Sequence, residues 1–332
     1  MSLWKPTRRE LVASAPLALA LTASPRRLFA SPTSSLTFFV IGDWGRRGNL
    51  PQQEVARLMA ARFGESGSQF VVSTGDNFYN LGVTSTEDSH WQRSFERVYS
   101  AELRKRWYAV LGNHDYGGSI GAQIKMTDVD RGWRMCRRWW DERLADWPEI
   151  HLFFIDTVVW RGVEDFPYKW LGSSIPAGDQ AVQAEWLDRS LRASNARFKL
   201  VFGHHPIYSI GPHGGMMQLK ELDDILRGGK ATAYINGHDH CLYYIEKAGI
   251  HYVCSGAGSN LLREYSGDPA VSGCVIKGFC SSPALENADL PYWRFYEEDV
   301  GGFAAFSVRG SALELVFHRV GKEASTPFLL AA

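Results

Sequence analysis

Five times between residues 36 and 240 a short apolar run ends on a glycine followed at once by Asp, Asn or His, and this recurrence constrains the chain more than any other feature. The endings are Gly42-Asp43-Trp44-Gly45, Gly75-Asp76-Asn77-Phe78-Tyr79, Gly112-Asn113-His114-Asp115, Gly203-His204-His205-Pro206 and Gly237-His238-Asp239-His240. The runs before them, 36–41, 70–74, 107–111, 198–202 and 231–235, have the length and composition of buried strands; a sixth, 151–156, lacks such an ending. Longer stretches between them read as helices, among them 50–63 and 179–193, the latter with Val182, Trp186, Leu187 and Leu191 near helical spacing. This is α/β grammar. After His240 the runs 241–245, 250–255, 302–309 and 313–320 read as hairpins, and no linker separates the halves, so one domain of two stacked mixed sheets flanked by helices is expected. Residues 128–147, crowded with Arg and Trp, read as an inserted helical segment near the site mouth, and 259–291 as a long irregular loop.

Glycine lets a chain turn sharply, and open α/β sheets gather ligands beyond the carboxyl ends of their strands. Asp, Asn and His supply the oxygen and nitrogen donors that first-row metal ions accept. Singly, each motif has an ordinary structural explanation as a turn, a cap or a strand end. Five together, each at a strand end, point to a metal centre. Asp115 and Asp239 read as supports for ligands rather than as ligands.

On these motifs the chain resembles the metallophosphoesterase superfamily, and within it the purple, tartrate-resistant acid phosphatases, from about residue 36 to about residue 328. The likeness extends to Gln123-Ile124, Phe154-Ile155-Asp156-Thr157, Tyr208-Ser209-Ile210, Ser255-Gly256-Ala257-Gly258 and Gly301-Gly302-Phe303-Ala304. It implies a four-layer α/β/β/α sandwich of two mixed sheets flanked by helices. It also implies an acid phosphatase that hydrolyses phosphate monoesters by in-line attack of a metal-bound hydroxide at a binuclear centre, Fe(III) plus divalent Fe, Zn or Mn. One departure from the wider superfamily is informative: most members open with Asp-x-His, and here Gly45 stands two residues after Asp43. Tyr79, three residues after Asp76, supplies a replacement whose phenolate favours Fe(III) over Zn(II).

Carried over residue by residue, the resemblance gives ferric iron Asp43, Tyr79 and His240, lets Asp76 bridge, and gives the second metal Asn113, His204 and His238. His114 would orient the ester oxygen or protonate the leaving alcohol, and His213 would hold the phosphate; each also admits a plainer role fixing Asp115 or loop backbone. The same two metals cleave diesters, so a phosphodiesterase or nucleotidase is the alternative, with the side chains around Tyr116, Trp133, Trp139 and Trp160 as expected discriminators. A phosphate- or iron-binding protein without activity, or a redox protein using the iron pair, is a different class of reading, and the complete donor set argues against a degenerate binder. Animal members join two loops near the site by a cysteine pair; the matching positions here are Trp160 and Met217, so that staple is absent.

Thirty-six basic and thirty-six acidic residues cancel, which removes any global pull toward nucleic acid or an anionic membrane and leaves small phosphorylated molecules as the expected partners. Lys5, Arg8 and Arg9 precede an apolar run over 11–23, then Arg26-Arg27-Leu28-Phe29-Ala30, the layout of a signal peptide cleaved near Ala30. Thr7-Arg8-Arg9-Glu10-Leu11 has the paired arginines of a twin-arginine signal, and the run is too short and alanine-rich to span a membrane. Residues 1–30 are thus expected to direct export to the periplasm or medium, with 31–332 the single domain. The five cysteines have no CxxC spacing; Cys274 and Cys280 are placed to pair in an oxidising compartment.

Overall fold

The strand β1 (Leu36–Ile41) is apolar at nearly every position and buried at all six, the mark of a strand covered on both faces. The computed structural model describes Met1 and residues 35–129, 131–161, 175–211, 213–259 and 292–331. All but Met1 of the expected signal, Cys274, Cys280 and all but Ser259 of the expected loop lie outside the described residues.

β1 sits mid-sheet, parallel to β2 (Phe70–Ser73) and antiparallel to β12 (Gly302–Arg309). That sheet extends through β3 (Trp107–Ala109) to β4 (Trp133–Arg134) on one side, and through β13 (Ala312–Arg319) to β14 (Phe328–Ala331) on the other. The second sheet also has seven strands. Its order is β11 (Tyr292–Glu297), β9 (Leu242–Lys247), β10 (Ile250–Ser255), β8 (Ala233–Asn236), β7 (Phe198–Phe202), β6 (Ile150–Phe154) and β5 (Trp140–Arg143), with β6, β7, β8 and β10 parallel.

Alternation along β1 divides the apolar load. Leu36, Phe38 and Val40 enter the core between the sheets with Phe154, Phe202 and Phe306, whereas Phe39 and Ile41 face Val55, Ala56 and Met59 of the helix Leu50–Ser66. Asn49 caps that helix by accepting from the Gln52 amide, and Gly67 ends it in the left-handed region. On the far side, Val201, Tyr234 and Tyr243 pack against Leu187 and Leu191 of the helix Asp179–Ala193 and against Leu222 and Leu226 of the helix Lys220–Gly228. The layers are α/β/β/α, as the resemblance implied.

Residues 128–147 are not an inserted helix. They supply β4 and β5, one edge strand to each sheet, because Trp133 belongs to the outer core of the first sheet and Trp140 to the core between the sheets. A single helix face could not reach both. In the helix Asp179–Ala193 the buried face is Gln183, Ala184, Leu187 and Leu191, and Val182 is exposed. Gln183 takes an inward position because its amide accepts from Asp156 N at 2.8 Å and donates to Asp156 O at 2.9 Å, closing the carboxyl end of β6.

Phe38 lies 4.8 Å from Phe70 and 5.3 Å from Phe306, ring to ring and stacked. Replacing it with alanine should lower the unfolding free energy in urea by about 3–5 kcal/mol, the range for deleting a fully buried aromatic.

Candidate metal centre

The parallel strands β1, β2 and β3 of one sheet and β7 and β8 of the other end at a common edge, and the five glycine motifs leave from there. Hydrogen bonds join the two sheets at this edge: Gly42 N donates to Ser255 O at 2.6 Å, and His238 N donates to the Asp43 carboxylate at 2.9 Å. Asp43, Asp76 and His238 have φ of 59°, 48° and 69°. Such left-handed conformations are uncommon outside glycine and persist where surrounding structure holds a functional group in place.

Two groups of donor atoms form here and share one carboxylate. The Tyr79 hydroxyl lies 2.9 Å from Asp43 Oδ1, 2.9 Å from Asp76 Oδ2 and 3.2 Å from His240 Nε2. On the other side of Asp76, His204 Nε2 lies 3.5 Å from the same Oδ2, 3.0 Å from Asn113 Oδ1 and 3.2 Å from His238 Nδ1. All seven expected ligands are therefore gathered, and all are buried. Since a carbonyl only accepts, the 2.9 Å contact from His204 Nδ1 to Thr74 O places a proton on Nδ1 and turns Nε2 toward Asp76 and Asn113. Carboxylates, a phenol, an amide oxygen and imidazole nitrogens within a few ångströms make a hard, anionic donor set that fits first-row metal ions.

Charge explains why the set needs cations. Burial opposes ionisation of Asp76, but the facing His204 and His114 outweigh it and hold its carboxyl well below the usual range. Burial likewise disfavours the His204 imidazolium, yet Asp76 and Asp43 raise it to about 9. Burial and the same two carboxylates push the Tyr79 phenol well up, so it becomes a phenolate only beside a strongly polarising cation.

A profile of the family "Calcineurin-like phosphoesterase" matches residues 36–242. The chain is 40% identical to "Purple acid phosphatase 17" of Arabidopsis thaliana over 247 residues, covering 70% of this chain and 71% of that protein. It is 31% identical to "Tartrate-resistant acid phosphatase type 5" of Mus musculus over 301 residues, 86% of this chain and 88% of the relative. The chain belongs to the purple acid phosphatases, within the calcineurin-like phosphoesterases. It is a hydrolase of the acid phosphatase type. Among solved structures, the purple acid phosphatase from yellow lupin superposes with a TM-score of 0.60 at 12% identity, covering 90% of this chain and 54% of that one. The structure described as "GAP50 the anchor in the inner membrane complex of Plasmodium" superposes with a TM-score of 0.70 at 24% identity, covering 90% and 89%. Both likenesses concern the fold alone.

Within this purple acid phosphatase, Gly45 is a geometric necessity. A Cβ there would overlap the backbone oxygen of Asn77, so no side chain fits where the wider superfamily has its Asp-x-His histidine. The Gly45 carbonyl instead accepts from Tyr79 N at 2.9 Å and from the His90 ring at 3.2 Å, which seats the tyrosine. Asp115 and Asp239 support the loops. Asp115 accepts from Gly112 N, Asn77 N and Gln123 Nε2, tying the second motif to the third. Asp239 accepts from Ser209 Oγ and from His213 N.

Several participants lie outside the five glycine motifs, with no role assigned to them by the sequence. Gln123 joins Asn77 to Asp115, and the Thr157 hydroxyl meets His205 Nδ1 at 2.9 Å and accepts from His204 N at 3.3 Å. Arg46 places its guanidinium carbon 4.1 Å from the centre of the Tyr79 ring. Conversely, two expected discriminators are core residues: Trp133 is fully buried and donates to Gln123 O, and Trp160 packs on the second sheet and donates to Glu221. Tyr116 bonds Asp156, and Trp139 stacks with Arg138. Cys136, Cys241 and Cys254 are free thiols.

Gly45→Ala should lower the melting midpoint and the bound metal per chain together. Gly64→Ala, in a helix where an added Cβ meets nothing within 4 Å, should be neutral or stabilise by about 0.5–1 kcal/mol. Equal behaviour of the two variants in melting and metal analysis would overturn this account of Gly45.

Proposed function

We propose that this acid phosphatase acts on phosphate monoesters at a binuclear centre of Fe(III) and a divalent Fe, Zn or Mn ion. The observation that carries the reading is the Tyr79 hydroxyl, held against Asp43, Asp76 and His240 beside a glycine that excludes a histidine ligand. Asp43, Tyr79 and His240 would hold the ferric ion, and Asn113, His204 and His238 the divalent one. Asp76 would serve both. When bound, such a pair supplies Lewis-acid stabilisation of the phosphoryl oxygens and lowers the pKa of the attacking water, more strongly on the ferric side, which suits an acid optimum.

The chain's own groups do the rest. His114 donates from Nδ1 to Asn80 O at 2.7 Å, which fixes its ring 4.4 Å from that of Tyr79 and leaves Nε2 on the site side, 3.8 Å from Asp76 Oδ2. From there it would orient the ester oxygen or protonate the leaving alcohol. His213 is anchored by its Nδ1 3.2 Å from Asp239, and its ring stands 4.5 Å from His238 and 5.6 Å from His240, a position from which it would hold the phosphate at the rim. The names of the two relatives described above, both acid phosphatases, support the monoester reading over the diester one.

The iron-loaded, oxidised protein is expected to show a broad visible absorption band that Tyr79→Phe abolishes while retaining iron. A wild-type protein without the band and with zinc or manganese at both positions would refute ferric ligation. Asp76→Ala should lose metal and reduce p-nitrophenyl phosphate turnover by more than about 100-fold, beyond the 10–100-fold typical of groups that only support a ligand; retention of both metals and full turnover would remove Asp76 from its shared role.

We also propose, on the sequence pattern alone, that residues 1–30 are an export signal and 31–332 the mature single domain. No helix among the described residues is long and apolar enough to cross a membrane. A fusion of residues 1–35 to a reporter should be exported, and a reporter that stays in the cytoplasm would overturn the assignment.

A further inference from the structure

Arg46 and Arg47 follow Gly45 directly, and their side chains have different destinations. Arg46 covers the Tyr79 ring, while Arg47 lines a surface groove of about 390 Å³ together with Arg57, Arg93 and Arg97. The groove runs between the helix Leu50–Ser66 and the π-helical turn Gln92–Glu96 with the two residues after it, and none of its lining residues is acidic. Among the described residues none of these four arginines makes an ion pair: Arg57 donates to Gln53, Arg93 donates to Ser89, and the nearby Glu96 is engaged by Arg131 at 2.8 Å. In a chain whose charges cancel overall, four unneutralised guanidinium groups in one concavity are a marked local segregation.

The groove is also built. Gln52 is fully buried, accepts from Arg46 N and Gly48 N, and donates to Ser94 O at 2.7 Å, clamping the 46–48 turn to the opposite wall. Arg47 N donates to Ser94 Oγ at 2.8 Å, and Arg47 itself is held at φ 54°, an unfavourable conformation for an arginine that fixes where its side chain leaves the backbone. Clustered like charges repel, and an anion carrying several phosphates removes that repulsion through forked guanidinium–phosphate bonds. The volume falls in the ~300–1,000 Å³ range of small-molecule sites, and the concave shape suits a compact ligand better than a flat surface.

We propose that this groove is a second anion site, distinct from the metal centre, that binds a compact polyphosphorylated molecule. The site stands on its own residues and does not require the metal assignment. Its test is titration calorimetry of the full-length, metal-loaded protein with the bismethylene analogue of tripolyphosphate, which is not hydrolysed, in wild type and in the double variant Arg93→Gln/Arg97→Gln. The expected result is a Kd weakened by about 10-fold or more in the variant, with wild-type binding falling steeply between about 0.05 and about 0.5 M salt, as multiple charge contacts require. Turnover of p-nitrophenyl phosphate should be the same in both proteins. An unchanged Kd in the variant would place the binding at the metal centre and overturn the proposal; so would a defect confined to anionic vesicles, which would make the face a lipid contact. If the wild type fails to turn over p-nitrophenyl phosphate, the monoesterase reading falls while the calorimetric comparison still decides the groove.

Discussion

The Asp76 carboxylate is the interaction on which the rest of the site depends. It is a buried anion, and a buried anion is stable only with charge or hydrogen bonds directed at it. Its Oδ1 accepts from His114 N at 2.8 Å, and its Oδ2 faces the Tyr79 hydroxyl on one side and His204 Nε2 on the other. Each of those partners comes from a different strand end, so the position of one carboxylate organises motifs from both sheets. Its neighbour Asp115 bears the consequence: burial, with the Asp76 charge added, pushes that carboxyl up to about 7, and the N–H donors of Gly112, Asn77 and Gln123 gather around it in compensation.

The sandwich exists in this form because both faces of β1 are needed. One face fills the space between the sheets, the other carries the helix Leu50–Ser66, and together they fix where residue 43 emerges. The second sheet is then brought into place by the inter-sheet core and by Gly42–Ser255 and Asp43–His238 bonds at the edge. Neither sheet holds a complete donor set: Asp43, Asp76, Tyr79 and Asn113 leave the first, and His204, His238 and His240 the second. Packing two sheets together and assembling the centre are the same event.

Much of this was legible in the chain. A glycine and a donor residue after each buried strand is a local pattern, so the strands, the α/β class and the candidate donor residues could be read without coordinates. Asp115 and Asp239 were legible as supports too; the other supporting groups were not, because their roles belong to contacts between distant segments. Gln123 acts through Asn77 and Asp115, Thr74 through a backbone carbonyl that any residue would supply, and Trp133 and Trp160, expected to discriminate between substrates, are required by the core instead. In residues 128–147 the crowding of Arg and Trp points to a helix, whereas Trp133 and Trp140 serve two different cores and so define two edge strands.

By itself the sequence determined which residues could donate to a metal, their order along the chain, and that Gly45 stands two residues after Asp43 with Tyr79 three after Asp76, since residue type and strand-end position are local properties. Tertiary structure alone decided that Asn77 occupies the space beside Gly45, that Asp76 faces both donor groups, and that arginines far apart in sequence line one groove without acidic partners. The physical reason is that sterics, burial and charge compensation act between atoms brought close by folding, at separations the sequence does not record.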